Sequence, residues 1–184
     1  HQSDRPGDEI CLLFGRSAGR MERVTGDTLE SRHASPARLA VYVAPLDPES
    51  ITPQMRENLD DELTEVKSEN AIDRITSQAN PRTLERVPAG ARFSLRFVID
   101  ILCEEDKALP AVLAEGLRLL EDDSLGGGGS RGSGRVALAK LRLVWRGRGF
   151  YASGASETEL TADADLAALQ ALIGDTDFSS KLVE

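Results

Sequence analysis

Residues 93–145, FSLRFVIDILCEEDKALPAVLAEGLRLLEDDSLGGGGSRGSGRVALAKLRLVW, decide the fold. Apolar residues alternate with their neighbours at 93–101, which predicts a β-strand. Apolar positions at 110–120 recur with helical spacing, and 136–145 predict a second strand. A change of parity between Leu138 and Leu141 predicts a β-bulge near Ala139 or Lys140. Strand, helix and strand in this order indicate a β-α-β unit.

A glycine-rich run, GGGGSRGSGR at residues 126–135, joins the predicted helix to the second strand. Glycine adopts positive φ readily and lets the backbone approach a ligand closely. Successive backbone N–H groups in such a turn can converge on an anion. Arg131 and Arg135 add forked donors that suit phosphate. The run therefore predicts an anion-binding loop.

Three other interpretations of this run compete with an anion-binding loop. Gly127, Gly129 and Gly132 match the spacing of the dinucleotide fingerprint, but that motif needs a strand before the loop and a helix after it. The order here is reversed. A Walker phosphate loop is excluded because no Gly-Lys-Ser/Thr follows. A flexible linker stays open, since residues 126–130 spell GGGGS, although arginines at a helix-to-strand junction argue against it.

The charge of the chain is uneven. The net charge of −9 over 184 residues argues against a uniformly basic nucleic-acid binder and is compatible with one domain. Residues 126–148 nevertheless contain six basic residues and no acidic one, and 74–96 contain five arginines against Glu85. This distribution favours an anionic partner on one face, with an ordinary solvated surface as the alternative.

The two cysteines are too few for a disulfide framework. Cys103 follows an apolar strand pattern and is predicted to be a small buried hydrophobe. The sequence shows no signal peptide and no apolar run long enough to span a bilayer, so no membrane partner is expected. These features predict a reducing, cytoplasmic compartment.

Outside the central stretch the pattern predicts a strand at 38–43, a helix that starts at Thr52 and Pro53, and a last helix at 165–173 that ends at Gly174. Apolar residues at intervals of four suggest that the helix after Thr52 continues to Leu63. Residues 64–90 show no clear element and contain breakers. Three strands and one helix indicate an α+β, ferredoxin-like sandwich whose first strand and helix are absent and are expected to precede His1.

Several stretches resemble a known family. They are TEVKSENAIDRIT at 64–76, ANPR at 79–82 and ERVPAGARF at 85–93. In this order they resemble the backbone subunit of type III-A CRISPR effector complexes, the Csm group of the RAMP superfamily. The run at 125–135 is similar to the family's glycine-rich loop, and Leu13-Phe14-Gly15 is similar to its short Leu-Phe-Gly motif.

The resemblance implies a core like an RNA-recognition motif and a single RAMP domain over residues 1–184. Residues 27–63 and 91–184 would form the core with a C-terminal helix, and 64–90 would form a thumb. It also implies that copies of the subunit stack along guide RNA beside other type III subunits, and that the thumb enters the guide–target RNA duplex. The expected RNA-binding residues are Gly127, Gly128, Gly129, Ser130, Arg131, Gly132, Gly134 and Arg135 of the loop, with Arg74, Arg82 and Arg86 of the thumb.

The resemblance further implies cleavage of bound target RNA with a divalent metal, usually Mg²⁺. The family's catalytic aspartate and its Gly-Ser-Ser-Leu-Lys-Gly motif have no counterpart in this chain and are expected upstream of His1, so no catalytic residue is assigned. Asp73 is the carboxylate inside the matching motif. It is expected to orient Arg74 or Arg82 through an ion pair.

No metal ligand is assigned either. Some relatives bind zinc near the region of His1 and Cys11, but two ligands cannot close a tetrahedral site. His33 is predicted to lie on the surface. The acidic run at 121–123 is the strongest rival candidate for a metal site. It is expected instead to be a solvated helix end, despite charges that disfavour the helix dipole.

Three functions follow as hypotheses. The first is a guide-RNA-binding subunit that, when complete, also cleaves target RNA. The second is a purely structural subunit that binds RNA and neighbouring subunits without nuclease activity. The third is a small-ligand domain whose glycine loop binds a nucleotide phosphate.

Overall fold

The computed structural model describes residues 9–15, 22–23, 29–30, 36–59 and 63–182, so the predictions for His1 and His33 lie outside it. The architecture is mixed α/β, and the described strands pair in two-stranded sheets: β1 with β2, β3 with β6, β4 with β5, and β7 with β8. The elements in chain order are α1 (Glu9–Phe14), β1 (Glu22–Arg23), β2 (Leu29–Glu30), β3 (Leu39–Val41), α2 (Pro53–Arg56), β4 (Glu65–Ile72), β5 (Ala79–Arg86), β6 (Phe97–Ile99), α3 (Leu109–Asp122), β7 (Leu141–Trp145), α4 (Arg148–Ser153), β8 (Thr158–Ala164), α5 (Leu166–Ile173) and α6 (Phe178–Lys181).

The chain divides into two compact units, His1–Ala40 with Val98–Glu184, and Val41–Phe97. In the first unit, α3 packs against α1 and α5. Leu109 on α3, Leu13 on α1 and Leu166 on α5 are buried, so the apolar stripe of α3 faces a hydrophobic core. Within the described ranges, no helix is both long and apolar enough to cross a bilayer.

Both long helices predicted from the sequence are confirmed. The helix predicted at 110–120 is α3, with Pro110 in its first turn, where a missing N–H leaves no hydrogen bond unmade. The helix predicted at 165–173 is α5. Its N-cap is Asp165, whose carboxylate accepts a 2.7 Å hydrogen bond from the N–H of Ala168, and its C-cap is Gly174.

A buried ion pair joins β3 to the turn before α3. The Asp106 side chain is fully buried, and its Oδ2 accepts hydrogen bonds from Arg38 Nε at 3.1 Å and from the N–H of Leu102 at 2.9 Å. Burial would raise the pKa of Asp106, but these donors outweigh burial and lower it. Charge-assisted hydrogen bonds of this kind hold the chain entering β3 against the chain leaving β6.

The prediction that Cys103 is buried is wrong. The strand β6 ends at Ile99, and the chain then enters a short 3-10 helix at Glu104–Ala108, which leaves Cys103 exposed. A hydrogen bond with Glu105 raises the pKa of its thiol. The apolar alternation therefore continued in the sequence beyond the point where strand pairing ends.

The strand predicted at 93–101 is interrupted. The N–H of Tyr42 donates to the carbonyl of Arg96, whereas Leu46 forms an isolated bridge with Phe93, so the pairing shifts by one residue between these two contacts. Only Phe97–Ile99 is regular strand. Pro45 lies within the interruption, and proline has no N–H to donate to a ladder.

The predicted start of α2 is confirmed, but its predicted length is wrong. Thr52 Oγ1 accepts a 3.2 Å hydrogen bond from the N–H of Met55, and Pro53 is the first helical residue. The helix ends at Arg56, so the apolar spacing that extends to Leu63 does not belong to a continuous helix.

The second strand of the predicted β-α-β unit is shorter than expected. Residues 136–139 are irregular, and Lys140 adopts a left-handed conformation with φ 55° before β7 begins at Leu141. The pairing of β7 with β8 then changes register between Leu141 and Val144. The predicted β-bulge is therefore not at Ala139 or Lys140, which precede the strand; the register shifts lie between Leu141 and Val144.

Candidate functional site

The glycine-rich run forms a closed loop between α3 and β7, held by hydrogen bonds one inside another. The outermost joins Glu121 Oε1 to the N–H of Leu138 at 2.7 Å. The next joins the N–H of Leu125 to the carbonyl of Gly134 at 2.8 Å. Inside these, the carbonyl of Gly128 accepts from the N–H of Arg131 at 2.9 Å. The run is therefore a defined turn, not an extended linker.

Positive φ angles in the loop favour glycine, as Gly128 and Gly134 illustrate. Gly128 has φ 78° and Gly134 has φ 81°, values that a side chain disfavours. At Gly134 a Cβ would also overlap the carbonyl oxygen of Leu125, which is rigid backbone. The close approach of these two chain segments closes the base of the loop.

The loop offers backbone donors, but over a shorter stretch than predicted. The N–H groups of Arg131, Gly132 and Ser133 donate to the carbonyls of Gly128 and Gly129. In the described part of the chain, the N–H groups of residues 126–130 donate no hydrogen bond. An anion could therefore be bound by the donors of Gly127, Gly128, Gly129 and Ser130, whereas Gly132 serves the turn itself.

Some of the basic side chains near the loop are already paired with acidic residues. Arg142 donates to Glu159 at 2.6 Å and to Glu157 at 2.8 Å, and Arg146 donates to Glu157 at 2.9 Å. These contacts raise the pKa of both arginines and lower that of Glu157. Two of the six basic residues at 126–148, Arg142 and Arg146, therefore bind acidic residues at the start of β8.

Two further basic residues belong to the glycine-rich run itself. Arg131 and Arg135 lie in and directly after the loop and are exposed. Among the described residues, Arg135 forms no ion pair. Guanidinium groups beside unbonded backbone N–H groups make a site suited to phosphate oxygens.

Residues 65–86 form a regular β-hairpin that the sequence pattern did not reveal. Eight antiparallel pairs run from Glu65 opposite Arg86 to Ile72 opposite Ala79. The segment looked irregular because most of its side chains are exposed on both faces, so no apolar alternation marks it. The one sequence signal available was the cross-strand charge pattern, Glu65 with Arg86 and Glu69 with Arg82.

Two of the three arginines predicted to bind RNA in this hairpin are engaged within it. Arg82 forms a 2.7 Å ion pair with Glu69, and Arg86 forms a 2.8 Å ion pair with Glu65. Each pair joins residues that are directly opposite in the ladder. These arginines therefore help fix the strand register and are at least partly neutralised.

The turn of the hairpin, residues 73–78, presents the third arginine. The Asp73 carboxylate accepts hydrogen bonds from the N–H groups of Ile75 at 2.7 Å and Thr76 at 2.9 Å. These donors lower the pKa of Asp73. The expectation that Asp73 pairs with Arg74 or Arg82 is wrong, because its carboxylate caps the turn. Arg74 forms no ion pair within the described ranges, and the Ile75 side chain is 95% exposed beside it.

The predicted RNA-binding residues thus form two groups, each in its own compact unit. Residues 127–135 gather in the glycine loop of one unit, and the three arginines of the other lie along the hairpin.

Two carboxylates of the acidic run beside the loop are engaged by contacts within the chain. Glu121 Oε1 accepts from Leu138, and its other oxygen lies 3.4 Å from Arg118. Asp122 is exposed and lies 3.9 Å from the same arginine. Within the described ranges, no three His, Cys, Asp or Glu side chains are grouped so that they could hold a metal ion. No ligand is therefore assigned to the Mg²⁺ that the resemblance implies.

Comparison with known proteins supports the family suggested by the motifs. The model of the RAMP superfamily matches residues 2–137. A protein of Methanocaldococcus jannaschii is 36% identical over 78% of this chain and 52% of its own length. One of Methanothermobacter thermautotrophicus is 36% identical over 83% of this chain and 62% of its own. One of Streptococcus thermophilus is 48% identical over 44% of this chain and 38% of its own.

All three relatives carry the name CRISPR system Cms endoribonuclease Csm3. The chain spans between about half and three-fifths of the length of the first two. The family model covers well over half of the chain, including the glycine loop and the hairpin. The chain therefore belongs to the RAMP superfamily, in its Csm group.

Proposed function

We propose that this chain is a guide-RNA-binding backbone subunit of a type III CRISPR interference complex. The observation that carries the proposal is the glycine loop, where the N–H groups of residues 126–130, which donate no hydrogen bond within the described ranges, lie next to Arg131 and Arg135. Donors of this kind bind phosphate oxygens of any nucleotide sequence, as a subunit on a variable guide requires. Family membership supports the same conclusion.

The proposal extends to the architecture. The β6-α3-β7 segment would belong to a ferredoxin-like core of the kind found in RNA-recognition motifs. The hairpin at 65–86, within residues 64–90, would be the thumb that enters the guide–target duplex. Its exposed turn with Arg74 and Ile75 supports this role, because an apolar side chain there has no packing partner of its own. Copies of the chain, target RNA and other type III subunits are the proposed partners.

Cleavage of target RNA with Mg²⁺ is proposed for the complete protein, on the strength of the relatives' name. Within the described ranges no three His, Cys, Asp or Glu side chains are grouped to hold a metal ion, and no catalytic residue is named. The alternative is a purely structural RNA-binding subunit without nuclease activity.

Binding of labelled single-stranded RNA to the chain tests the proposal. Affinity should be similar for unrelated RNA sequences and should fall steeply with salt, because phosphate contacts dominate. Mononucleotides in excess should displace the RNA poorly, because a mononucleotide makes fewer phosphate contacts than an RNA strand. Efficient displacement by a mononucleotide would favour the small-ligand interpretation instead, and no binding to any RNA would overturn the proposal.

A further inference from the structure

Glu121 presents an electrostatic problem beside the proposed phosphate site. Its carboxylate lies in the last turn of α3, where the helix dipole disfavours negative charge. It also stands at the base of a loop that would bind an anion. Its side chain is only 17% exposed, so solvent screens this charge less than that of a surface residue. Such a placement calls for a compensating contact.

The compensating contact is the hydrogen bond from the N–H of Leu138 to Glu121 Oε1, 2.7 Å long and partly buried. The second carboxylate oxygen is 3.4 Å from Arg118, one helical turn earlier. Hydrogen bonds to a charged acceptor are shorter and stronger than those between neutral groups. Leu138 itself lies in the irregular stretch before β7, so no strand ladder engages its N–H.

This bond fixes the outer end of the glycine loop. The inner hydrogen bond, from the N–H of Leu125 to the carbonyl of Gly134, closes the loop. The outer hydrogen bond, from the N–H of Leu138 to Glu121, aligns the segment that follows the loop. Arg135 lies between these two closures, and its backbone is therefore held on both sides. Positioned donors bind a phosphate more tightly than mobile ones because less freedom is lost on binding.

We propose that Glu121 is a positioning residue for the glycine loop: its carboxylate clamps the N–H of Leu138 and thereby pre-organises the loop and Arg135 for RNA phosphate. The inference rests on the proposed function of the loop. It also explains why an acidic residue stands next to an anion site. The carboxylate serves as a hydrogen-bond acceptor, and its charge is offset by Arg118 and the Leu138 N–H.

The test uses three variants of the full chain. Glu121→Ala removes the acceptor, Glu121→Gln keeps an acceptor oxygen without the charge, and Asp122→Ala removes the neighbouring exposed charge without touching Leu138. Hydrogen exchange of the RNA-free chain reads the clamp directly. We expect Glu121→Ala to speed exchange at Leu138 by about tenfold, as for loss of a hydrogen bond to a charged group. Glu121→Gln should lie between Glu121→Ala and the parent protein, because a neutral acceptor makes a weaker hydrogen bond, and Asp122→Ala should remain near the parent protein.

The RNA affinity of the variants tests whether the hydrogen bond between Glu121 and Leu138 supports RNA binding. With labelled single-stranded RNA as the probe, Glu121→Ala should bind several-fold more weakly than the parent, with an unchanged salt slope, because no phosphate contact is removed. Glu121→Gln should restore most of the affinity. Unchanged exchange at Leu138, or faster exchange with no loss of affinity, would overturn the proposal. A parent chain that binds no RNA would overturn the proposed function and the positioning role together, while the exchange experiment would still report the clamp.

Discussion

The carbonyl oxygen of Leu125 occupies the space into which a side chain on Gly134 would have to project. Gly134 also has φ 81°, and the Leu125 N–H donates to its carbonyl at 2.8 Å. We expect Gly134→Ala to destabilise the chain by about 2 kcal/mol through backbone strain and overlap. RNA binding should weaken with it. Denaturant unfolding and RNA titration measure the two effects.

Two other glycines of the loop separate the causes. Gly132 shares the positive φ, at 81°, but a Cβ there would meet open space. Gly127 has neither constraint. The expected order of stability is therefore Gly127→Ala highest, Gly132→Ala intermediate and Gly134→Ala lowest. Equal stability of the Gly127 and Gly134 variants would contradict the close approach of Leu125 to Gly134.

The arginines of the loop should be visible in the salt dependence of RNA binding. Each phosphate contact with single-stranded nucleic acid contributes about 0.7 to the slope of log affinity against log salt. Replacing both Arg131 and Arg135 with alanine should reduce the slope by about 1.4 and weaken binding to unrelated sequences alike. Filter-binding titrations at several salt concentrations measure this.

Arg142 provides the matched control, because it lies on β7 outside the glycine loop and its guanidinium binds Glu157 and Glu159. Arg142→Ala should leave the slope close to that of the parent chain. A double variant of Arg131 and Arg135 with an unchanged slope would show that the loop does not contact phosphate.

Local signals explain how much of the fold was predictable. Thr52 with Pro53, and Asp165 with Gly174, mark helix ends through contacts within a few residues, and the structure bears them out. The glycine loop between helix and strand was likewise evident. The hydrogen bonds inside the loop could not be predicted, because they depend on how the loop closes in three dimensions.

The errors have a different physical origin. The hairpin at 65–86 has few buried side chains, so the hydrophobic period that reveals most strands is missing. The strand at 93–101 had a strong period, but pairing with β3 and its continuation shifts by one residue near Pro45. Pairing of Arg82 with Glu69 and of Arg142 with Glu157 joins residues that are 13 and 15 positions apart. Charge counts along the sequence could not show that these arginines are neutralised.

Because of Asp106, the stability of the folded chain should fall at acid pH. The pKa of Asp106 is lowered in the folded chain, so its contribution is complete above the unfolded value of about 3.9 and is lost as the pH falls through the folded value. Asp106→Asn should lower stability at neutral pH by roughly 3 kcal/mol, because the partly buried Arg38 loses its counter-ion. The difference between parent and variant should shrink below about pH 4. Unfolding measured across this range tests the prediction.

Glu104→Gln serves as the comparison for that experiment. Glu104 lies in the same turn, but its side chain is 84% exposed and contacts Lys107 at the surface. Its replacement should change stability little at any pH. If Asp106→Asn behaves in the same way, the buried ion pair with Arg38 does not stabilise the fold.

The turn of the hairpin should be the first place where protease cuts the RNA-free chain. Arg74 lies at an exposed turn and has no ion pair among the described residues, whereas Arg82 and Arg86 lie in the ladder and are paired. Limited trypsin digestion should therefore cleave after Arg74 first, since exposed turns are cut most readily. Arg74→Gln should slow this cleavage, and bound RNA should protect the site. First cleavage within α3 would contradict the prediction.

We expect the 184-residue chain alone not to cleave RNA. Metal-assisted cleavage needs groups that hold the ion or the attacking water at the scissile phosphate. In the described part of the chain no three His, Cys, Asp or Glu side chains are grouped to hold a metal ion, and the carboxylate of Glu121 accepts a hydrogen bond from Leu138. Asp122 and Asp123, beside the glycine loop, are the remaining candidates, and both are exposed. An assay with guide RNA, complementary target RNA and Mg²⁺ should give intact target. Cleavage that disappears on replacing Asp122 and Asp123 with alanine would place the active site at the end of α3. Cleavage that survives this double replacement would point to carboxylates elsewhere in the chain and would equally contradict the expectation.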